Sequence, residues 1–205
     1  MTLYIVIITA VISIAAFQSH EIMDKLIFNP YKVNKYGQWY RLLSSGFIHA
    51  DWLHLIINMF VLYQFGEIVE RSYGYVFDNK GGYYFLLLYL GGIVISILPT
   101  FKRHKDNYAY NALGASGGVS AIVFTFILFD PFQRIALYGL NFLSMPAIFW
   151  GIVYLVYSYV SDKRGGGNTN HNAHFWGAIF GIIYTVALKP SIVINFIDQV
   201  KNLFS

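Results

Sequence analysis

Long apolar runs separated by short polar segments dominate the chain. Six of these runs are candidate membrane helices: Leu3–Phe17, Trp52–Phe65, Tyr83–Phe101, Gly117–Phe129, Leu143–Val160 and Ala173–Leu188. A membrane-spanning helix needs about 20 residues, so the shorter runs need their flanking aromatic residues as well. The pattern predicts an all-α, polytopic membrane protein in which one six-helix bundle covers residues 1–205.

Two polar or mixed segments complete the pattern. Residues 165–170, Gly-Gly-Gly-Asn-Thr-Asn, predict a flexible connection before the sixth helix. The tail Ser191–Ser205 repeats apolar residues at helical spacing, which predicts an amphipathic helix along the membrane surface.

Composition supports the membrane assignment and excludes several kinds of chemistry. The 205 residues are 57% hydrophobic and only 12% charged, whereas average soluble domains carry roughly 25% charged residues. Without cysteine, the chain has no disulfide, thiol nucleophile or thiolate metal site. The formal charge of +4 is spread over the loops, so no nucleic-acid partner is expected, and the lipid bilayer is the expected surrounding.

Three polar side chains lie near the starts of even-numbered helices: His54, Ser116 and His174. Each crossing reverses the chain, so these helices share one direction and their starts meet at one face. From Gly117 to Phe129 the run has 13 residues. That is about 20 Å of helix in a hydrocarbon core about 30 Å thick. Ser116 is therefore predicted below the near interface, beside a water-filled cavity.

Ser116 and His174 together suggest nucleophilic catalysis. A lone serine on a membrane helix usually satisfies a backbone carbonyl, but Ser116 lies between Gly114 and Gly117 at a helix N-terminus. The free N–H groups there can stabilise an oxyanion. A lone histidine is likewise ambiguous, but His174 begins a helix that continues with small residues at Gly177, Ala178 and Gly181. Small faces allow helices to approach closely, which brings a serine and a histidine within hydrogen-bond reach.

No third member of a catalytic triad is evident in the sequence. Neither Asp nor Glu occurs between Asp106 and Asp130 or between Asp162 and Asp198. The spacing therefore favours a Ser-His dyad, with the histidine ring oriented by packing or by the backbone.

Other polar residues have both functional and structural interpretations. His54 and Asn58 lie one turn apart and can donate hydrogen bonds to an oxyanion, or simply link helices. A metal site of His49, His54 and His174 lacks a helical carboxylate, so no metal and no cofactor are predicted. In the first loop, Trp39 stands near Arg41, a pair also suited to the membrane interface.

Taken together, these motifs resemble the rhomboid family of intramembrane serine proteases. They are Trp39-x-Arg41, His54-x-x-x-Asn58, Gly114-x-Ser116-Gly117 and Ala173-His174-x-x-Gly177-x-x-x-Gly181, in the family's order along the chain. Each motif is short, but together they cover nearly the whole chain.

The resemblance implies a function for each part of the pattern. Ser116 would attack the peptide carbonyl, with His174 as base and then acid. His54, Asn58 and the backbone around Gly114 and Gly117 would form the oxyanion and substrate-binding site, and Trp39 and Arg41 would structure the first loop. The expected substrates are single-pass transmembrane proteins. The expected location is the bacterial inner membrane, with the active site open to the extracytoplasmic side.

Two features depart from the family pattern. Many members carry a tyrosine four residues after the nucleophile, stacked on the catalytic histidine, but this chain has Ser120 there. The support for His174 must then come from elsewhere, for example from Tyr154 or Tyr157. The loops expected outside carry nine Lys and Arg residues and the inside segments five, the reverse of the positive-inside rule.

Two other interpretations compete with a protease. One is a catalytically inactive rhomboid-like protein that binds transmembrane clients, although such relatives usually lack the serine or the histidine. The other is a small transporter, which predicts intramembrane carboxylates or paired broken helices that this sequence does not contain.

Overall fold

The computed structural model describes residues 1–137, 140–164 and 170–202. Residues 165–169 of the predicted flexible connection, and the last three residues of the predicted tail, lie outside these ranges. Ten α-helices occur in the described ranges: α1 Thr2–Gln18, α2 His20–Leu26, α3 Pro30–Tyr36, α4 Arg41–Ser44, α5 Trp52–Phe77, α6 Gly81–His104, α7 Ser116–Phe129, α8 Ala147–Arg164, α9 His171–Leu188 and α10 Ser191–Asn202. Two short 3-10 helices, Ser45–Phe47 and Asp78–Lys80, join their neighbours.

The predicted helical character is confirmed, but several boundaries differ. The largest change is in α5, which continues to Phe77, well beyond the predicted end at Phe65. Leu62, Val69 and Tyr73 are buried on this helix. Since they recur at helical spacing, the stripe that faces the core continues after the purely apolar run has ended.

The prediction of an all-α chain is wrong between α7 and α8. Strands β1 (Arg134–Leu137) and β2 (Leu140–Pro146) form an antiparallel pair in which Arg134 lies opposite Pro146. Pro146 disfavours helical backbone at the residue before it, so α8 begins at Ala147 and not at the predicted Leu143. The Arg134 guanidinium also donates to the Ser144 carbonyl at 2.5 Å, which ties the two strands together.

By length and hydropathy, one helical run in the described ranges can cross a membrane, Trp52–His104, and α9 with α10 form a second candidate, bent by 112°. The first run is two helices, because the chain reverses at Asp78, where φ is 51°. A Cβ on Gly81 would lie only 2.5 Å from the Tyr73 carbonyl oxygen, so α6 folds back against α5. Length and hydropathy alone therefore do not establish six crossings.

Helix α7 is the centre of the fold and is buried along nearly its whole length. It packs against α5, α6 and α9. A Cβ added to Gly177 of α9 would lie 2.3 Å from the Gly117 carbonyl oxygen, and one added to Gly181 would lie 2.2 Å from the Ala121 carbonyl oxygen. The main chains of α7 and α9 are thus in direct contact, as the small residues of the sixth apolar segment predict.

This contact predicts that Gly181→Ala is strongly destabilising. The new methyl group would meet main-chain atoms of α7, which cannot move aside as a flexible side chain would. Overpacking of this kind costs about 1–3 kcal/mol or more. Thermal unfolding of the detergent-solubilised protein measures the effect. Gly74→Ala is the matched control, because a Cβ there has no atom within 4 Å. An equal loss of stability in the two variants would contradict the packing argument.

Candidate active site

The loop before Ser116 has a backbone conformation that requires glycine. Gly114 has φ +117°, and a Cβ there would lie 2.8 Å from Cε1 of His54. Its N–H donates to the Ser45 carbonyl at 2.9 Å, which anchors the loop to the end of the first connection. The loop therefore delivers Ser116 as the first residue of α7 with the His54 ring packed directly against Gly114.

His54 and Asn58 lie in the first turns of α5. The Asp51 carboxylate caps this helix by accepting the His54 backbone N–H at 2.8 Å. Nδ1 of His54 lies 3.5 Å from the Ala50 N–H. With Nδ1 as an acceptor, the neutral ring carries its proton on Nε2, the nitrogen that faces Gly114. Asn58 is buried and uses one amide N–H on the His54 carbonyl at 2.9 Å, which leaves its other N–H available.

His174 lies in the first turn of α9. The Asn170 side chain caps this helix by accepting the Ala173 N–H at 3.1 Å. The ring of Tyr154, on α8, stacks on the His174 ring at 5.7 Å between centroids and 18° between planes. The His171 ring approaches His174 edge-on at 5.7 Å. Aromatic rings, and not a carboxylate, surround this histidine in the described part of the chain.

Ser120 stands where the resemblance leads us to expect a tyrosine, and the structure shows another aromatic support for His174. The Ser120 hydroxyl hydrogen-bonds the Tyr154 hydroxyl at 2.8 Å, so Ser120 holds a tyrosine that comes from α8. Of the two aromatic candidates, Tyr154 contacts His174, whereas Tyr157 packs edge-on against His171. The small serine leaves the space that the Tyr154 ring occupies.

A cavity of about 1160 Å³ opens between α5 and α8, and four of the candidate side chains line it: His54, Asn58, Ser116 and His174. Its deeper walls are apolar and include Val61, Phe65 and Ile127. In the described ranges no hydrogen bond joins Ser116 to His174, although both face this space. Catalytic hydrogen bonds are often long before substrate binds and tighten only in the complex.

Trp39 and Arg41 lie in the first connection and do not line the cavity. The Trp39 ring packs against Phe101 at 5.4 Å. Arg41 is buried, and its guanidinium donates to the carbonyls of Asp24 and Ile27 at 2.6 and 2.7 Å. A hydrogen bond from Lys32 lowers the pKa of the Asp24 carboxyl, and the Arg41 charge acts in the same direction. The hydrogen bonds of the buried Arg41 side chain thus hold the first connection together.

The sequence assigned no clear role to His49, which is fully buried. Its Nδ1 lies 3.0 Å from the Ser13 hydroxyl, and its Nε2 accepts the Ala115 N–H at 3.4 Å. Both ring nitrogens are therefore occupied by protein partners, so His49 does not join His54 and His174 as a metal ligand. In the sequence, only the position of His49 five residues before His54 indicated that it belongs to the site.

Comparison with known proteins relates the chain to one family. The family model described as Rhomboid domain matches residues 36–191, which include all the motifs above. RHOMBOID-like protein 12, mitochondrial, of Arabidopsis thaliana is 31% identical over 73% of this chain and 46% of its own length. The putative rhomboid protease YdcA of Bacillus subtilis is 27% identical over 72% of this chain and 66% of its own.

A third relative matches a shorter segment. Rhomboid protease GluP of Bacillus subtilis is 34% identical over 83 residues, which are 40% of this chain and 14% of that protein. The chain thus spans less than two thirds of the length of GluP and of the Arabidopsis protein, and about two thirds of YdcA.

Proposed function

Since the chain belongs to the rhomboid family, we propose that it is an intramembrane serine protease that uses a Ser116–His174 dyad. Membership of the family supports a membrane location and protease-type activity. The observation that carries the specific proposal is the convergence of Ser116, His174, His54 and Asn58 on one cavity. A serine, a histidine and separate hydrogen-bond donors facing one space are the parts that acyl transfer requires.

In the proposed reaction, the Ser116 hydroxyl attacks the substrate carbonyl while His174 accepts its proton. The oxygen of the tetrahedral intermediate accepts hydrogen bonds from the Ser116 N–H, Nε2–H of His54 and the free amide N–H of Asn58. His174 then protonates the leaving amine, and the acyl-enzyme forms. Water enters the cavity, His174 deprotonates it, and hydrolysis of the ester returns the serine.

The dyad needs another means of orienting its base, because no carboxylate contacts His174 in the described ranges. The Tyr154 ring limits rotation of the imidazole on one side, and the capped first turn of α9 fixes its Cα. The stack comes from α8, the helix that forms one wall of the cavity. Aromatic pairs of this geometry are worth about 0.5–1.5 kcal/mol, enough to favour one ring orientation.

The cavity also indicates the kind of substrate. Its lining includes the hydrogen-bonding side chains of His54, Asn58, Ser116 and His174, and apolar side chains of α5, α7 and α8 make up much of the remaining wall. A transmembrane segment that enters between α5 and α8 would place apolar side chains against the deeper walls and its unwound end at the serine. We therefore propose single-pass membrane proteins as substrates, cleaved in or near the membrane segment, without a metal or cofactor.

Ser116→Ala is expected to abolish both proteolysis and labelling by a serine-directed fluorophosphonate, since it removes the nucleophile. His174→Ala should do the same, because an unactivated serine is a poor nucleophile. His171→Ala is the matched control and should retain both activities. The assay is cleavage of tagged single-pass proteins by purified protein, with labelling in parallel. Loss of activity in His171→Ala but not in His174→Ala would show that His171, and not His174, is the general base. Absence of labelling in the wild type would favour an inactive, client-binding protein.

Removal of one oxyanion donor is expected to slow turnover without preventing it. His54→Ala and Asn58→Ala should each lower kcat by about 10²–10³-fold, the usual cost of one such donor. Fluorophosphonate labelling should persist, because Ser116 and His174 remain. Unchanged kcat in both single variants and in the double variant would assign the two residues to packing alone.

The proposed orientation opens the cavity to the extracytoplasmic side of a bacterial inner membrane. The absence of cysteine allows a direct test with single substitutions. Tyr108 is 77% exposed beside the cavity, and Tyr75 is 88% exposed near the other end of α5. In intact cells, Tyr108→Cys should react with an impermeant maleimide, and Tyr75→Cys should react only after lysis. The reverse pattern would show a cytoplasmic opening, as the distribution of Lys and Arg alone predicts.

A further inference from the structure

We propose that His49 is a positioning residue, a buried neutral imidazole that ties helix α1 to the loop that carries Ser116. The proposal rests on the proposed function, because its consequence is the placement of the nucleophile. His49 lies outside the cavity that holds the catalytic groups, so it acts through its neighbours and not on substrate.

The hydrogen bonds around His49 determine its tautomer. The backbone N–H of Ala115 can only donate, so Nε2 of His49 must be the acceptor at 3.4 Å. In the neutral ring the proton is then on Nδ1, which donates to the Ser13 hydroxyl oxygen at 3.0 Å. Ser13 in turn donates to the Phe47 carbonyl at 3.0 Å. These four groups form one chain of hydrogen bonds in which each donates to the next. The chain runs from the loop before Ser116 through His49 to α1, and then to the first connection at Phe47.

The surroundings keep this ring neutral. Burial lowers the pKa of His49 to about 3, the neighbouring His54 adds to this effect, and the Asp51 carboxylate opposes it. A protonated ring would carry a hydrogen on Nε2, where it would oppose the Ala115 N–H. Neutrality and the hydrogen-bond chain therefore support each other.

His49 contacts both halves of the proposed catalytic machinery. Ala115 directly precedes Ser116 and is fully buried, so the hydrogen bond to His49 fixes the Gly114–Ala115 peptide unit, one residue before the nucleophile. The His49 ring also packs edge-on against His54, with 4.9 Å between centroids and 78° between planes. One side chain thus sets the distance between the nucleophile loop and an oxyanion donor. Small misplacements at such positions lower kcat sharply, because geometry carries much of the rate.

Three variants separate positioning from folding. His49→Leu removes both hydrogen bonds and should slow fluorophosphonate labelling about 100-fold, the cost of a displacement near 1 Å. Ser13→Ala removes only the far partner and should slow labelling and lower kcat about tenfold, the effect of one hydrogen bond, with little change in KM. His49→Gln provides an acceptor for Ala115 and a donor for Ser13, so it should recover most of the rate lost in His49→Leu.

Thr9→Val is the matched control for Ser13→Ala. Thr9 lies one turn earlier on α1 and is also fully buried, so this change removes a buried hydroxyl from the same helix without touching the chain of hydrogen bonds. It should label at the wild-type rate. Equal rates in wild type, His49→Leu and Ser13→Ala would overturn the proposal, as would an equal loss of kcat in Thr9→Val and Ser13→Ala.

A spectroscopic measurement tests the hydrogen-bond chain without reference to activity. In ¹⁵N-histidine spectra of the purified protein, with His49→Gln used to assign the signal, His49 should show a neutral Nδ1–H tautomer from about pH 5 to about pH 9. An Nε2–H tautomer, or titration within that range, would overturn the proposal. A wild-type protein that takes no fluorophosphonate label would refute the proposed function instead, and the nitrogen spectrum would still decide the arrangement at His49.

Discussion

Direct contact between the main chains of α7 and α9 is the constraint on which the rest of the structure depends. Gly177 and Gly181 lie so close to the carbonyls of Gly117 and Ala121 that even a methyl group would collide. Within a bilayer the hydrophobic effect does not drive helices together, so close packing of small residues supplies much of their attraction. That packing places the starts of α7 and α9, and thus Ser116 and His174, beside one cavity.

Close helix packing also brings buried polar groups within hydrogen-bond distance of each other. An unpaired polar group buried in apolar surroundings is costly, so each needs a partner nearby. In the centre, Tyr73, Thr125 and Thr185 form a connected set of hydroxyl hydrogen bonds at 2.7 and 2.9 Å. Nearer the site, Arg41 donates to the carbonyls of Asp24 and Ile27, and His49 accepts the Ala115 N–H. The loop before Ser116 is therefore held both by the buried His49 side chain and by the backbone hydrogen bond from Gly114 to Ser45.

The contacts of Ser120 show how support for the His174 ring comes from another helix. A serine at position 120 is too small to stack on His174, and its hydroxyl instead hydrogen-bonds Tyr154 of α8. In the proposed enzyme, the helix that supports the base also forms a wall of the substrate cavity. Movement of that wall would therefore change the surroundings of the base.

Sequence patterns alone determined much of the fold and the identity of the candidate residues. Apolar runs locate helices because burial of each helix follows its local periodicity. The second, fourth and sixth apolar segments run in one direction, which predicts that His54, Ser116 and His174 meet. The glycines of α9 likewise predict its close contact with α7.

Tertiary structure decided the features that depend on contacts between distant segments. The choice of Tyr154 over Tyr157 depends on how α8 is rotated against α9, and the role of His49 depends on Ser13 and Ala115, which are 36 and 66 residues away. The end of β2 lies within the apolar run Leu143–Val160, and periodicity alone does not distinguish a short apolar strand from part of a helix. Local patterns carry no information about which distant groups meet, because non-local packing selects those partners.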